Sequence, residues 1–259
     1  MGSERHPFPA AWPTRAGWLL LVVYVVYAVS TLDFTWQRMV EGLEHGRQFL
    51  DRMFPPNFEN WDAILKGLKE SLEIAVLASF AGIVISLPIG LLAARNLMPG
   101  WVSWSARAVV ALARAFHPVI LAIVFVKAIG FGAIAGAMAL VVASIGFIGK
   151  LFAEAIEEIS LKQVEAVRAT GAGFMNVIAF GVLPQVLPRF IGFSTYQFDS
   201  NVRNSTMVGI VGAGGIGAPL FVAFQRFDYD TVCAILVTII VIVFACEVVS
   251  TRIQKIFGA

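Results

Sequence analysis

The sequence predicts an all-α polytopic membrane protein with six transmembrane helices, and two observations carry that prediction. Only 14% of the 259 residues are charged and 58% are hydrophobic, where an ordinary globular domain carries roughly 25% charged residues. The apolar residues also gather into windows long enough to cross a bilayer core, which takes about 20 residues of helix. Four windows carry no charge at all: residues 16–32, 74–94, 129–149 and 231–246. Two more make up the six, 108–126 with Arg114 and His117 inside it, and 177–196 with Arg189 and two prolines.

Taken in order, residues 1–15 form a cytoplasmic N-terminus whose Arg5 and Arg15 precede the first span, 16–32. No small-residue cleavage site follows that span, so it is read as retained rather than as a signal peptide. Residues 33–66 form an outer, interfacial segment. Within it, 36–54 places Met39, Leu43, Phe49, Leu50 and Met53 on one side of an amphipathic helix that Pro55-Pro56 ends. Residues 67–250 hold the other five spans, with a cytoplasmic loop at about 150–184, and 251–259 form a cytoplasmic tail. Lysine and arginine fall ten on the inner side against seven on the outer in this arrangement, with Arg114 and Arg203 within the membrane. Residues 207–224 are apolar too, but Gly209, Gly212, Gly214, Gly215, Gly217 and Pro219 break the run. Irregular backbone survives at membrane depth only when buried in protein or lining a cavity, so this stretch is read as broken or re-entrant.

Net charge is only +2, which suggests no nucleic-acid partner. Cys233 and Cys246 lie 13 residues apart on one predicted helix, about 20 Å at 1.5 Å per residue, so they do not pair within it and are read as core. No cluster of His, Cys, Asp and Glu has metal-ligand spacing, and no nucleophile and base can be paired. His117, beside Pro118, is read as a packed or hydrogen-bonded core residue. Glu73 and Glu247 are read as snorkelling toward opposite membrane faces.

The loop after the fourth span opens on a charged stretch, with two lysines and three glutamates in residues 150–162. Ser160-Leu161-Lys162-Gln163 has the spacing of a capping box, which starts a helix near Leu161. Gly171, after Thr170, suits a left-handed C-terminal cap, leaving about ten residues of helix. So short a helix is unstable alone in water and must lean on something. Leu161, Val164 and Val167 share one side, with Glu165 and Arg168 beside them, as a helix seated in a partner's groove requires. A solvated loop kept out of lipid by its charges is the competing reading.

Glu165-Ala166, Gly171 and then Leu183-Pro184 resemble the EAA loop of type I binding-protein-dependent ABC transporter permeases, whose pattern is E-A-A, three residues, G, nine residues, I, one residue, L-P. Two positions depart from it: Val167 replaces the second alanine, and Gly181 stands where isoleucine is usual. The resemblance extends over about 64–250 and implies a methionine-permease-like fold. It also implies that Leu161, Val164, Glu165, Ala166, Arg168 and Gly171 form a coupling helix moved by a cytoplasmic ATPase. ATP and Mg would then belong to that partner, because the chain has no G-x-x-x-x-G-K-[ST] phosphate loop and no cofactor of its own is expected.

A second stretch narrows the resemblance. Asn201-Val202-Arg203-Asn204-Ser205-Thr206, followed by Gly209 to Gly217, is similar to phosphonate-uptake permeases, as are Phe125 to Gly132 and Gly149 to Ala155. An intramembrane arginine is a functional hypothesis by default. The fork of donors on Arg203 matches a tetrahedral oxyanion, with Asn201, Asn204, Ser205 and Thr206 as hydrogen-bonding neighbours. An i, i+4 pair with Asp199 is the structural reading of the same residue and stays open here. Gly212, Gly214, Gly215 and Gly217 are expected to line the pore. Their G-x-G-x-x-G spacing also fits a dinucleotide fingerprint, which the absence of any strand pattern rejects.

The sequence therefore leads to the permease subunit of an ABC importer for phosphonate or related phosphorus oxyanions, such as phosphite or phosphate esters, and not to an enzyme. Its expected partners are a second copy of itself, two ABC ATPase subunits and a periplasmic or lipid-anchored binding protein. Its expected place is the bacterial inner membrane with both termini cytoplasmic. The same architecture serving methionine or another amino acid is the nearer alternative. An ion-coupled secondary transporter or membrane enzyme is the farther one, disfavoured by the lack of paired intramembrane carboxylates and of an inverted repeat.

Overall fold

A computed structural model describes residues 12–32 and 35–257; Arg5, Asp33 and the last two residues of the tail lie outside the described residues. The described residues are helical and irregular, with no strand among them. They divide into two compact units at Arg52/Met53.

The first unit contains α1 (Trp12–Thr31) and all of α2 (Trp36–Met53) but its last residue. α1 is apolar on every side, and almost all of its described side chains are exposed, as suits a helix surrounded by lipid. α2 is amphipathic, with Met39, Val40, Leu43 and Leu50 among its exposed apolar residues.

The second unit contains α3 (Trp61–Ala93), α4 (Gly100–Ala115), α5 (Pro118–Ile129), α6 (Ala133–Glu157), α7 (Leu161–Ala169), α8 (Phe174–Val177), α9 (Leu183–Ile210), α10 (Gly217–Gln225) and α11 (Tyr229–Phe257). A π-helical turn, Ile178–Val182, joins α8 to α9, so a single span runs from Phe174 to Ile210. Among the described residues five helices are long and apolar enough to cross a membrane, or six with a bent pair counted as one span. The span expected at 108–126 is that bent pair. α4 and α5 meet at 88° because Phe116 and His117 are both extended, as a residue before proline prefers. His117 caps α5, its Nδ1 accepting from the Val119 amide, and it is exposed rather than packed in the core as the sequence suggested.

Helices α3, α6 and α9 form the centre, built in three layers. One end holds an apolar cluster of Ile74, Ala78, Ala122, Val126, Ala139, Leu140 and Val208. The other holds Ile148, Phe152, Ile156, Val164, Val182, Val186 and Phe190, with the Phe152 and Phe190 rings 4.8 Å apart. Between them lies a polar waist. Asn201 Nδ2 donates to Ser79 Oγ at 2.9 Å and Ser144 Oγ at 3.0 Å, and Gln197 Nε2 donates to Ser144 Oγ and to Asn201 Oδ1, both at 3.0 Å. Each of these four side chains is buried, so the network satisfies groups that would otherwise be costly in a membrane interior.

Candidate functional site

The short helix expected to start near Leu161 exists as α7, and its attachment differs from the sequence reading. Ser160 is the N-cap residue, but its side chain makes no capping bond and Gln163 does not reach back. The Gln185 side chain supplies the clamp from α9: its Oε1 accepts from the Ser160 amide at 3.0 Å, and its Nε2 donates to the Ser160 carbonyl at 3.4 Å and the Gly181 carbonyl at 2.6 Å. At the other end Gly171 has φ +76°, the left-handed cap, and donates to the Arg168 carbonyl at 3.0 Å.

Val164 is 1% exposed and belongs to the chain's own apolar cluster. The sequence places it on the partner-facing side, but the helix needs an apolar anchor, and Val164 is turned inward with Val167 packed partly buried beside it. The backbone approach at that point explains Gly181: a Cβ there would lie 3.3 Å from Val164 Cα. Leu161, Lys162, Glu165, Ala166 and Arg168 point away and are exposed. Glu165 and Arg168 make no ion pair among the described residues. The platform beneath α7 is fastened by charge, with Arg189 pairing Glu158, and Glu157 Oε1 accepting from the Arg95 amide and from Arg107, each at 2.7 Å.

The polar stretch on α9 splits between two faces. Asn201 and Ser205 are fully buried: Asn201 ties helices together in the waist, Ser205 donates to the Val202 carbonyl of its own helix, and neither lines open space. Arg203 lies on the other side, partly exposed, and forms an ion pair with Asp199 one turn earlier. Asp199 Oδ1 is buried without a partner among the described residues. Asn204 and Thr206 are half-buried, with Asn204 donating to Ser200 Oγ at 3.3 Å.

The glycine-rich turn between α9 and α10 is wedged rather than open. Ser71 Oγ accepts from the Ile216 amide at 2.9 Å. A Cβ on Gly217 would fall 2.0 Å from the Thr206 carbonyl, and one on Gly215, at φ +82°, 2.5 Å from Ser71 Oγ. Gly215 and Gly217 are therefore buried packing positions, not pore-lining ones, because backbone and side chains occupy the space they leave; Gly212 and Gly214 are half-buried. Among the described residues no group of His, Cys, Asp and Glu could hold a metal, and both cysteines are free. Just outside α11, the protonated Asp228 carboxyl donates a hydrogen bond to the neighbouring Asp230 carboxylate, and this bond, with some burial, holds Asp228 above its usual range.

With this geometry in hand, the comparisons with known proteins fall into line. The family described as "Binding-protein-dependent transport system inner membrane component" matches residues 86–259. The chain is 44% identical to a phosphate-import permease protein, PhnE, of Mycolicibacterium smegmatis over 91% of its own length, and spans 44% of the length of that relative. It is 35% identical to a phosphite transport system permease protein, PtxC, of Stutzerimonas stutzeri, covering 96% of this chain and 92% of that one. Among solved structures, an inward facing form of the MetNI methionine ABC transporter superposes with a TM-score of 0.68 and 26% identity, over 78% of this chain and 99% of that one.

Proposed function

Since the chain belongs to the family of binding-protein-dependent transport system inner membrane components, we propose that it is the membrane-spanning subunit of an ABC importer that passes phosphonate or a related phosphorus oxyanion inward. Two copies would form the pathway, each with one ATPase subunit beneath it that binds ATP and Mg, and an external binding protein would deliver the substrate. Both termini would be cytoplasmic, the side on which α7 would meet the ATPase.

The observation that carries this reading is the two-sided character of α7. One side is fixed to the chain by Val164 and the Gln185 clamp, while Leu161, Glu165, Ala166 and Arg168 are left for a partner. A helix of 9 residues does not hold its shape alone, so a push on its outer face passes through those anchors to α6 and α9. Alternation between inward and outward openings then follows from ATPase closure. The relatives that transport phosphate and phosphite support the substrate class, and Arg203 would contact it by competing with Asp199.

The test is uptake and ATP hydrolysis by the reconstituted complex with methylphosphonate, phosphite, phosphate and methionine. Stimulation by a phosphorus oxyanion is expected. Stimulation by methionine alone would overturn the substrate, and failure to recruit an ATPase would overturn the permease reading. Arg203→Ala combined with Asp199→Asn removes the pair without stranding a carboxylate. If that double variant assembles and transports normally, Arg203 is structural only.

A further inference from the structure

Away from the α9 stretch, a cavity of about 450 Å³ opens between α4, α6 and the end of α3, lined by Ala93, Arg107, Val110, Ala111, Arg114, Ala115, Lys150 and Ala153. Its three charged lining residues are all cations. Arg107 is paired with Glu157 at 2.7 Å and also donates to the Ala93 carbonyl at 2.9 Å. Lys150 has Glu154 at 3.5 Å, an exposed i, i+4 contact of little strength. Arg114 has no carboxylate partner among the described residues.

Depth makes this unusual. Arg114 lies two turns beyond Arg107 on α4, about 10 Å further from the α3–α4 corner at 1.5 Å per residue. Its stem crosses α6 at Gly146, where a Cβ would fall 2.6 Å from Arg114 Cγ. Gly146 lies about 16 Å along α6 from Glu157, near the middle of a hydrocarbon core about 30 Å thick. Arg107, Lys150 and Arg114 thus form a ladder from the α7 end of the molecule to mid-membrane, flanked by alanines that leave the space open. An arginine without a carboxylate partner at that depth calls for a water-filled cavity or an anion.

We propose that this cavity is an anion site for a tetrahedral phosphorus oxyanion, held by Arg114 and Lys150 with Arg107 at its inner end, where substrate pauses before release toward the α7 side. This rests on the importer reading above. A phospholipid headgroup carries the same phosphate chemistry, but it would have to leave the interface to reach Arg114.

The test uses the complete transporter in vesicles of pure phosphatidylcholine and in vesicles containing phosphatidylglycerol, with methylphosphonate and inorganic phosphate as probes and the variants Arg114→Gln, Arg114→Lys and Lys150→Gln. Uptake by Arg114→Gln in phosphatidylcholine is expected to fall about 10- to 100-fold, the range for one lost charge-assisted hydrogen bond. Basal ATP hydrolysis should hold, and Arg114→Lys should recover part of the uptake. A defect confined to phosphatidylglycerol vesicles, with loss of retained lipid by native mass spectrometry, assigns the bound phosphate to lipid and overturns the release role. Normal uptake in both Arg114→Gln and Lys150→Gln overturns the site while leaving the importer intact. If the wild type takes up neither probe, the phosphorus-oxyanion substrate of the importer reading fails instead, and equilibrium dialysis of inorganic phosphate decides the site: equal binding by wild type and Lys150→Gln overturns it. Lys150→Gln, at an exposed position, also decides the matter should Arg114→Gln fail to fold.

Discussion

Replacing Val164 with alanine should loosen α7 from the chain without touching its exposed face. Val164 is 1% exposed, packed against the Gly181 backbone within the cluster of Phe152, Val182 and Val186. Two methyl groups leave, each worth about 0.8 kcal/mol, and the cavity left behind raises the total to about 2 kcal/mol. Because α7 is too short to persist undocked, that cost falls almost wholly on docking, and the population of undocked helix should rise about 30-fold. Hydrogen exchange of the α7 amides in the assembled complex measures this directly. Protection from Leu161 to Ala169 should drop by that factor while α3 and α6 are unchanged, and transport per ATP hydrolysed should fall. Leu161→Ala, on the exposed side, should leave exchange as it is and weaken ATPase recruitment. Unchanged protection in Val164→Ala would refute the claim that this side chain anchors the helix.

Other consequences follow from the same geometry. Gly181→Ile, which introduces the residue usual in the EAA pattern, should destabilise this chain and lower its melting temperature, because Val164 Cα occupies the space of the new side chain. Asn201→Leu should cost about 1–3 kcal/mol and be read as a lower melting temperature, since Ser79, Ser144 and Gln197 lose their shared partner in the buried waist. Asp228 should titrate above the ordinary carboxylate range in carbon-13 NMR, and Asp230→Asn should bring it down. The sign follows from the raised value: a carboxyl whose folded pKa exceeds its unfolded one contributes stability below the unfolded pKa, and that contribution is lost as pH rises through the folded value.

What could be read from the sequence was what period and composition determine. The apolar windows located the spans, and Gly171 marked the end of α7 because few residues other than glycine take a left-handed cap. What escaped was what depends on a distant residue. The capping-box spacing at Ser160 and Gln163 is real, yet Gln185 from α9 takes the role, a fact no local window contains. The same holds for Val164, whose helical spacing with Leu161 and Val167 shows a shared side but not which way it faces. His117-Pro118 did carry a local signal for the 88° bend, and the apolar run around it concealed that signal. The division of Asn201 and Ser205 from Arg203 was accessible from helical periodicity once a single helix was known to run through 201–206.

The arrangement also explains how a small displacement at α7 could be felt at mid-membrane. Its anchors join α6 and α9, which the waist ties to α3 through Asn201, Ser79 and Ser144. Hydrogen-bonded small polar groups of fixed geometry resist sliding in a way that aliphatic packing between these helices would not, so the three are expected to move as one body. The bent α4–α5 pair is outside that hydrogen-bond network: Arg107 links it to the centre near α7 through Ala93 and Glu157, α4 crosses α6 at Gly146, and Ala122 and Val126 of α5 pack into the apolar cluster at the other end. The cavity with Arg114 and Lys150 lies along this seam, between the helices tied by the waist and the bent pair. A site placed there would change shape with each stroke while every residue that shapes it stays on rigid helix, which is what release of a tightly charged anion requires.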